Sequence, residues 1–492
     1  MTKNPSIYEI NTRVWIKRFN TPTIKAKLRD VPLSYWQDLA ELGIEYVWLM
    51  GIWLTCESTI DKYCFEEGLT KSYSRALKDW KHEDISSSPY SIDNYQINPL
   101  LGNEDDLLWL KTELNNLGMK LILDFVPNHF SAGSSLIHTN PEIFLSVSGQ
   151  TFRNESHTFF QPRIDRAEFF AHGRDPFFPA WQDTVQVNFC NKEAKEFLTN
   201  NLLRLTSLCD GVRCDMAMLA LNNVFKNTWA GVLPPECLKS ASSEFWSEAI
   251  STVKNKRDDF LFLAEAYWDL EWQLQQLGFD FTYDKRLTDR LKHSFPREIV
   301  EHLRAQNSFQ QHSIRFLENH DEDRIVSVLH KEKSKAAAIV VSTIQGMHFY
   351  YDGQFEGKKI KLPVQLIREP MEAVNVDLKN FYCKLLKITA HKVFKEGVWK
   401  LLTPILSWVN NFTYLNIIAW EWRLNDERRI VIVNYSEFLS TCRIKLEIEG
   451  YSEELIITDL LHDVNYIRSA EEIHSLGLYV ELKPWQAHIL SF

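Results

Sequence analysis

The sequence predicts an α/β chain: a (β/α)8 TIM barrel with an inserted subdomain after the third strand and a C-terminal all-β sandwich domain. Three observations predict it. Helical patterns alternate with short apolar strands through residues 34–351, and a crossover helix before each new strand is what a parallel sheet requires. Several of the strands end on polar or acidic residues, and the C-terminal strand ends of a barrel converge on one mouth. No glycine-rich phosphate turn follows the first of these strands, which argues against the other closure, an open dinucleotide-binding sheet.

Ser34 is placed to cap a helix carrying Trp36, Leu39 and Leu42; Gly43 ends it, and Ile44 to Leu49 reads as a buried strand. Asn103 caps a second helix through Leu107, Leu108 and Leu110, Gly118 ends it, and Leu121 to Leu123 runs into Asp124. A third helix, Glu193 to Leu208, leads to the strand Val212 to Cys214 and then Asp215. A fourth, after Ser242, leads to Phe260 to Ala264 and then Glu265. A fifth, after Pro296, leads to Ile314 to Leu317 and the run Asn319-His320-Asp321. A sixth, Lys335 to Ile344, leads through Gly346 to Phe349-Tyr350-Tyr351.

This rhythm divides the chain. Residues 1–129 and 186–389 form the barrel, and the irregular stretch 130–185, rich in Phe, His, Arg and Pro, reads as a subdomain roofing the mouth. Residues 390–492 turn to short strands such as Arg429 to Asn434 and Thr441 to Leu446, a β-domain of ordinary size.

Composition narrows the function. A formal net charge of −10 over 492 residues argues against a nucleic-acid binder, which needs a basic face. The 16 Trp, 17 Tyr and 30 Phe are explained by large cores, and they also supply rings that stack on sugars. No apolar run approaches the ~20 residues of a membrane span, and no secretory signal is visible in Met1 to Arg13. The eight cysteines lack CxxC spacing and read as free thiols in a reducing compartment. A cytoplasmic location is therefore expected, with signal-independent export as the alternative.

Three strand-end acids carry the chemistry. Asp215, Glu265 and Asp321 follow three different strands, so all can face one cavity. Retaining cleavage of a glycosidic bond needs two carboxyl groups about 5 Å apart, a nucleophile and a proton donor. Any one such acid is as well explained by a helix cap or a surface position; three together, each with a polar escort, are not. Arg213 precedes Asp215 by two residues, hence on the same side of the strand, where a guanidinium favours an ionised carboxylate. Glu265 lies among Phe260 to Ala264, Tyr267 and Trp268, surroundings that raise a carboxyl pKa and suit an acid.

These residues sit in segments that resemble the α-amylase family, glycoside hydrolase family 13. DFVPNH (Asp124 to His129), GVRCDMA (Gly211 to Ala217), FLAEAYWD (Phe262 to Asp269) and FLENHD (Phe316 to Asp321) are similar to its four conserved blocks, in the family's order. SPYSIDNY (Ser88 to Tyr95), DTVQVN (Asp183 to Asn188) and GMHFYYDGQ echo three further segments, the last resembling the final barrel strand. The resemblance implies that Asp215 attacks the anomeric carbon, Glu265 is acid and then base, and Asp321 binds ring hydroxyls and favours the distorted sugar. It implies that Arg213, His129 and His320 hold the same sugar, that Tyr90 stacks beneath it, and that Asp124 orients its neighbours. No cofactor is required; Asn128 matches a position that binds calcium in many members, so calcium is the one metal the resemblance admits.

Three positions depart from the family's pattern. Met218-Leu219 stands where endo-acting amylases carry a Lys-His pair, Asn94 where an Asp is common, and Met50-Gly51 where the first strand meets a Pro-containing turn. The expected partner is an α-glucan or oligosaccharide substrate, with neither nucleic acid nor membrane. The leading reading is hydrolysis of α-1,4-glucosidic bonds in glycogen, starch or maltooligosaccharides by double displacement. A glucosyl or glucan transferase, or a sucrose- or trehalose-active enzyme, shares the first half-reaction. A non-catalytic carbohydrate-binding relative is the third alternative, and the presence of all three acids weighs against it.

Overall fold

The computed structural model describes residues 2–239, 243–447 and 454–492. Eight parallel strands close into a barrel: β1 (Ser6–Asn11), β2 (Tyr46–Met50), β3 (Lys120–Phe125), β4 (Gly211–Cys214), β5 (Leu261–Ala264), β6 (Phe281–Tyr283), β7 (Ser313–Arg315) and β8 (Met347–Tyr351). Each pairs with its sequence neighbours, and β1 closes on β8 through Ser6 opposite His348 and Glu9 opposite Tyr351. Alternate residues point inward, so Ile7, Trp48, Ile122, Leu263, Tyr283 and Phe349 pack in the interior.

The six helix–strand units read from sequence are all present, with adjusted bounds. The helix Leu33–Glu41 starts one residue before Ser34 and has no side-chain cap, so Ser34 lies in its first turn and caps nothing. Asn103 does cap Glu104–Asn116, accepting from the Asp106 amide. The helix expected after Ser242 is Phe245–Lys256; Ser242 itself lies outside the described residues. Two barrel strands escape the sequence pattern, β1 and β6, so Met50-Gly51 ends the second barrel strand and not the first.

The segment between β3 and the helix Lys192–Leu208 holds short strands, among them the antiparallel pair His129–Ser131 and Thr184–Gln186. Beyond the helices Val376–Thr389 and Lys392–Glu396 comes a six-stranded sheet facing a three-stranded one. Ile417, Ile430 and Ile432 of the larger sheet meet Cys442, Ile444 and Leu482 of the smaller in a shared core, which makes a sandwich. The larger sheet's other face docks on the barrel. There Trp420 and Trp422 both donate their indole N–H to the Thr343 carbonyl, at 2.9 and 2.6 Å.

The expectation of free thiols fails for one pair. Cys190 and Cys237 are disulfide-bonded; folding brings their Cα atoms to 5.7 Å although 47 residues separate them. The other six are free, five of them buried. Among the described residues no helix is long and apolar enough to cross a membrane.

Candidate active site

Strand register builds the site. Cys214 of β4 is level with Ala264 of β5, so Asp215 and Glu265 are the next residues on adjacent strands, at the same height above the barrel. Arg213, one step below and 1% exposed, points into the barrel between the rings of Trp48 and Tyr90, each 5.1 Å from its guanidinium carbon. Its Nη1 donates to Asp215 Oδ1 at 2.8 Å, and its Nη2 lies 2.8 Å from Glu265 Oε2. Asp124 of β3 stands 3.7 Å from Nη1 and accepts the Gly51 amide at 3.1 Å, which Gly51 presents with a φ of +79°.

Met216 turns the chain sharply after Asp215, with a φ of 42°. A non-glycine residue in the left-handed region is uncommon and persists where its surroundings hold it. Here the strained turn aims the Met216 amide at Glu265 Oε2, 2.7 Å away, while Tyr267 donates its hydroxyl to Oε1 at 3.0 Å. Asp321 comes from the loop after β7, where the Asn319 side chain accepts both the Asp321 and Glu322 amides at 2.9 Å and fixes the turn. His320 beside it is buried: Nε2 meets Tyr90 Oη at 2.8 Å and Asp321 Oδ2 at 2.9 Å, and Nδ1 meets Glu9 Oε1 at 2.5 Å.

The electrostatics separate the acids. Burial pushes the Glu265 carboxyl up to about 7; Arg213 pulls it down, and the charges of Asp215 and Asp321 push it up again. Burial also raises Asp215, against the pull of its Arg213 bond, so the guanidinium offsets part of the cost of burial and does not by itself set a low value. Asp321 differs, with 46% of its side chain open to the cavity. Solvent there tempers both the burial that would raise it and the pull of His320, which brings it to about 2. Burial lowers His129 to about 4, so its imidazole is neutral near pH 7.

Asp215, Glu265, Asp321, Tyr90 and His129 line one cavity of about 420 Å3, within the range of small-ligand sites. Arg213 and His320 lie behind this lining, buried and bonded to Asp215, Glu265 and Asp321. Tyr267, named above beside Glu265, also lines the wall, as do Trp181, Met216 and Gln365, which sequence reasoning does not single out. Met218 and Leu219, which stand where the family's Lys-His pair would, are buried at 0% and 2% exposure, Met218 in the barrel's outer core. Asn94 bonds to Asp93 and to the Gln96 amide and stays outside the cavity lining.

Asn128 does not join the cavity either. Its side-chain oxygen and its carbonyl both accept from Gln186 Nε2, at 3.0 and 2.9 Å, and the same nitrogen reaches the Val187 carbonyl at 3.0 Å. Calcium takes six to eight oxygen ligands, several of them anionic. A neutral amide donor fills the place between these carbonyls, so this donor set does not fit the ion.

Chemically, the cavity offers a proton-holding carboxyl, a second carboxylate bonded to the same guanidinium, and an exposed third acid beside a charged imidazole. Known proteins carry the same architecture. The family model described as "Alpha amylase, catalytic domain" matches residues 33–364. Alpha-amylase 2 of Dictyoglomus thermophilum is 26% identical over 372 residues, 71% of this chain and 58% of that protein. The chain likewise spans less than two thirds of the length of the other curated relatives it matches. Among solved structures, the noncanonic maltogenic alpha-amylase AmyB of Thermotoga neapolitana superposes with a TM-score of 0.68 at 21% identity, covering 100% of this chain and 99% of that one. An alpha-amylase of Geobacillus thermoleovorans complexed with acarbose gives 0.67 at 16% identity, covering 100% and 98%. At these identities the structural likeness is one of fold.

Proposed function

The chain belongs to the α-amylase family, and from that premise we propose that it is a retaining glycosidase acting on α-1,4-glucosidic bonds of glycogen, starch or maltooligosaccharides. The observation that carries this is the single buried Arg213 guanidinium held 2.8 Å from both Asp215 and Glu265, which line the cavity. Asp215 attacks the anomeric carbon and forms a glycosyl-enzyme. Glu265, whose carboxyl is raised to about 7, protonates the leaving oxygen and then draws a proton from the incoming water. Asp321 and His320 bind ring hydroxyls, His129 contributes a neutral imidazole from the roof, and Tyr90 stacks beneath the sugar.

Tyr267 and Met216 border Glu265 in the cavity wall, each bonded to one of its carboxyl oxygens. A second glucan could be the acceptor there, which keeps the transferase reading in play. Incubation of purified protein with maltoheptaose separates the two. Shorter products alone are expected; products longer than the starting chain would overturn hydrolysis in favour of transfer, and no conversion of any α-glucan would overturn both.

A further inference from the structure

We propose that Glu9 is a positioning residue of this site, acting through His320 from inside the barrel. The inference rests on the catalytic reading above and extends it to a residue outside the cavity lining. Glu9 is fully buried, at 0% exposure, on β1 two residues above Ile7, which packs in the apolar barrel interior. A carboxylate in such a place is retained only with a partner. Its hydrogen-bonding partner is His320 Nδ1, 2.5 Å from Oε1, while Oε2 has no hydrogen-bond partner among the described residues.

That bond decides what the other edge of the ring does. With Nδ1–H committed to Glu9, Nε2 faces Asp321 Oδ2 at 2.9 Å and Tyr90 Oη at 2.8 Å. The partner of one imidazole nitrogen sets the tilt of the ring and the charge it can hold. The ring is further fixed by Tyr90, stacked at 5.3 Å, and by Trp48, edge-on at 5.7 Å. Glu9, Asp321, Asp124, Asp215 and the Tyr90 hydroxyl bear on His320, the Arg213 guanidinium lies over the rings of Tyr90 and Trp48, and the Tyr283 and Tyr351 hydroxyls sense Glu9. Burial opposes a charge on the imidazole, but Asp321 and Glu9 outweigh it and hold His320 protonated well above the usual histidine range. Both ring nitrogens therefore donate, and the pair Asp321–His320 meets the sugar in one orientation.

Glu9→Gln keeps the size and an acceptor but removes the charge. Its kcat/KM should fall about 10–100-fold, the scale seen when the group orienting a working histidine is lost, and His320 should give up its proton at lower pH than in the wild type. Glu9→Asp, which keeps the charge, should keep the wild-type His320 titration. In a His320→Gln background, Glu9→Gln should cost nothing further; independent, multiplicative losses would overturn the proposal. A readout that needs no turnover is the His320 titration followed by NMR in histidine-labelled protein. A lower midpoint in Glu9→Gln is expected, and an unchanged midpoint would overturn the proposal even if the wild type acted on no glucan, a result that would count against the catalytic reading alone.

Discussion

Arg213 is shared between two carboxyls that need opposite protonation states, and the division of its charge shapes the pH behaviour of the site. Glu265 has a folded value of about 7 against an ordinary 4.5, so the stability it contributes is complete below about pH 4.5 and is lost as pH rises through 7. Glu265→Gln removes that loss. Its thermal midpoint should exceed that of the wild type at pH 8 and match it near pH 4, while turnover falls about 100-fold or more. Equal midpoints at pH 8 would show that burial does not strain this carboxyl. The alkaline limb of kcat/KM should lie near pH 7 in the wild type. Asp215, Glu265 and Asp321 were legible in sequence because each follows an apolar run that could only be a strand. Glu9 was not: one acid between Tyr8 and Ile10 has no neighbour in sequence that explains it, and its partner lies 311 residues away.

Among the elements, the pairing of His129–Ser131 with Thr184–Gln186 ties the inserted segment to the end of β3, and Gln186 is its fastener. Since its amide already satisfies three carbonyl oxygens there, neither EDTA nor added calcium should move the thermal midpoint. Gln186→Leu should cost about 1–3 kcal/mol in denaturant unfolding, because buried acceptors lose their donor. A clear fall in midpoint on chelation would instead place a bound ion in the fold. The resemblance pointed to Asn128, but it is the side chain across the strand pair that decides the fit, and pairing partners are not visible in a linear pattern. The same holds for β6: three residues are too few to carry a periodic signal, and β1 has no preceding helix to announce it.

At the scale of the whole molecule, the barrel and the C-terminal sheets share one packed seam. Trp420 is 0% exposed and bonds to the barrel helix carrying Thr343, and Tyr435 donates its hydroxyl to the Leu291 carbonyl at 2.6 Å. Trp420→Ala should cost about 3–5 kcal/mol and split thermal unfolding into separate steps by calorimetry; an unchanged single transition would mean that the seam is not what couples the two. The helix–strand alternation and its end near Thr389 announced both parts, whereas the seam between them, made of residues distant in sequence, did not.

Retention by double displacement requires that Asp215 becomes covalently bonded to sugar. Mass spectrometry of protein quenched with a slow glycosyl-fluoride substrate tests it most directly. A glycosyl mass increment on the peptide containing Asp215, absent in Asp215→Asn, is predicted. An increment carried by Glu265 or Asp321, or none under conditions of turnover, would contradict it.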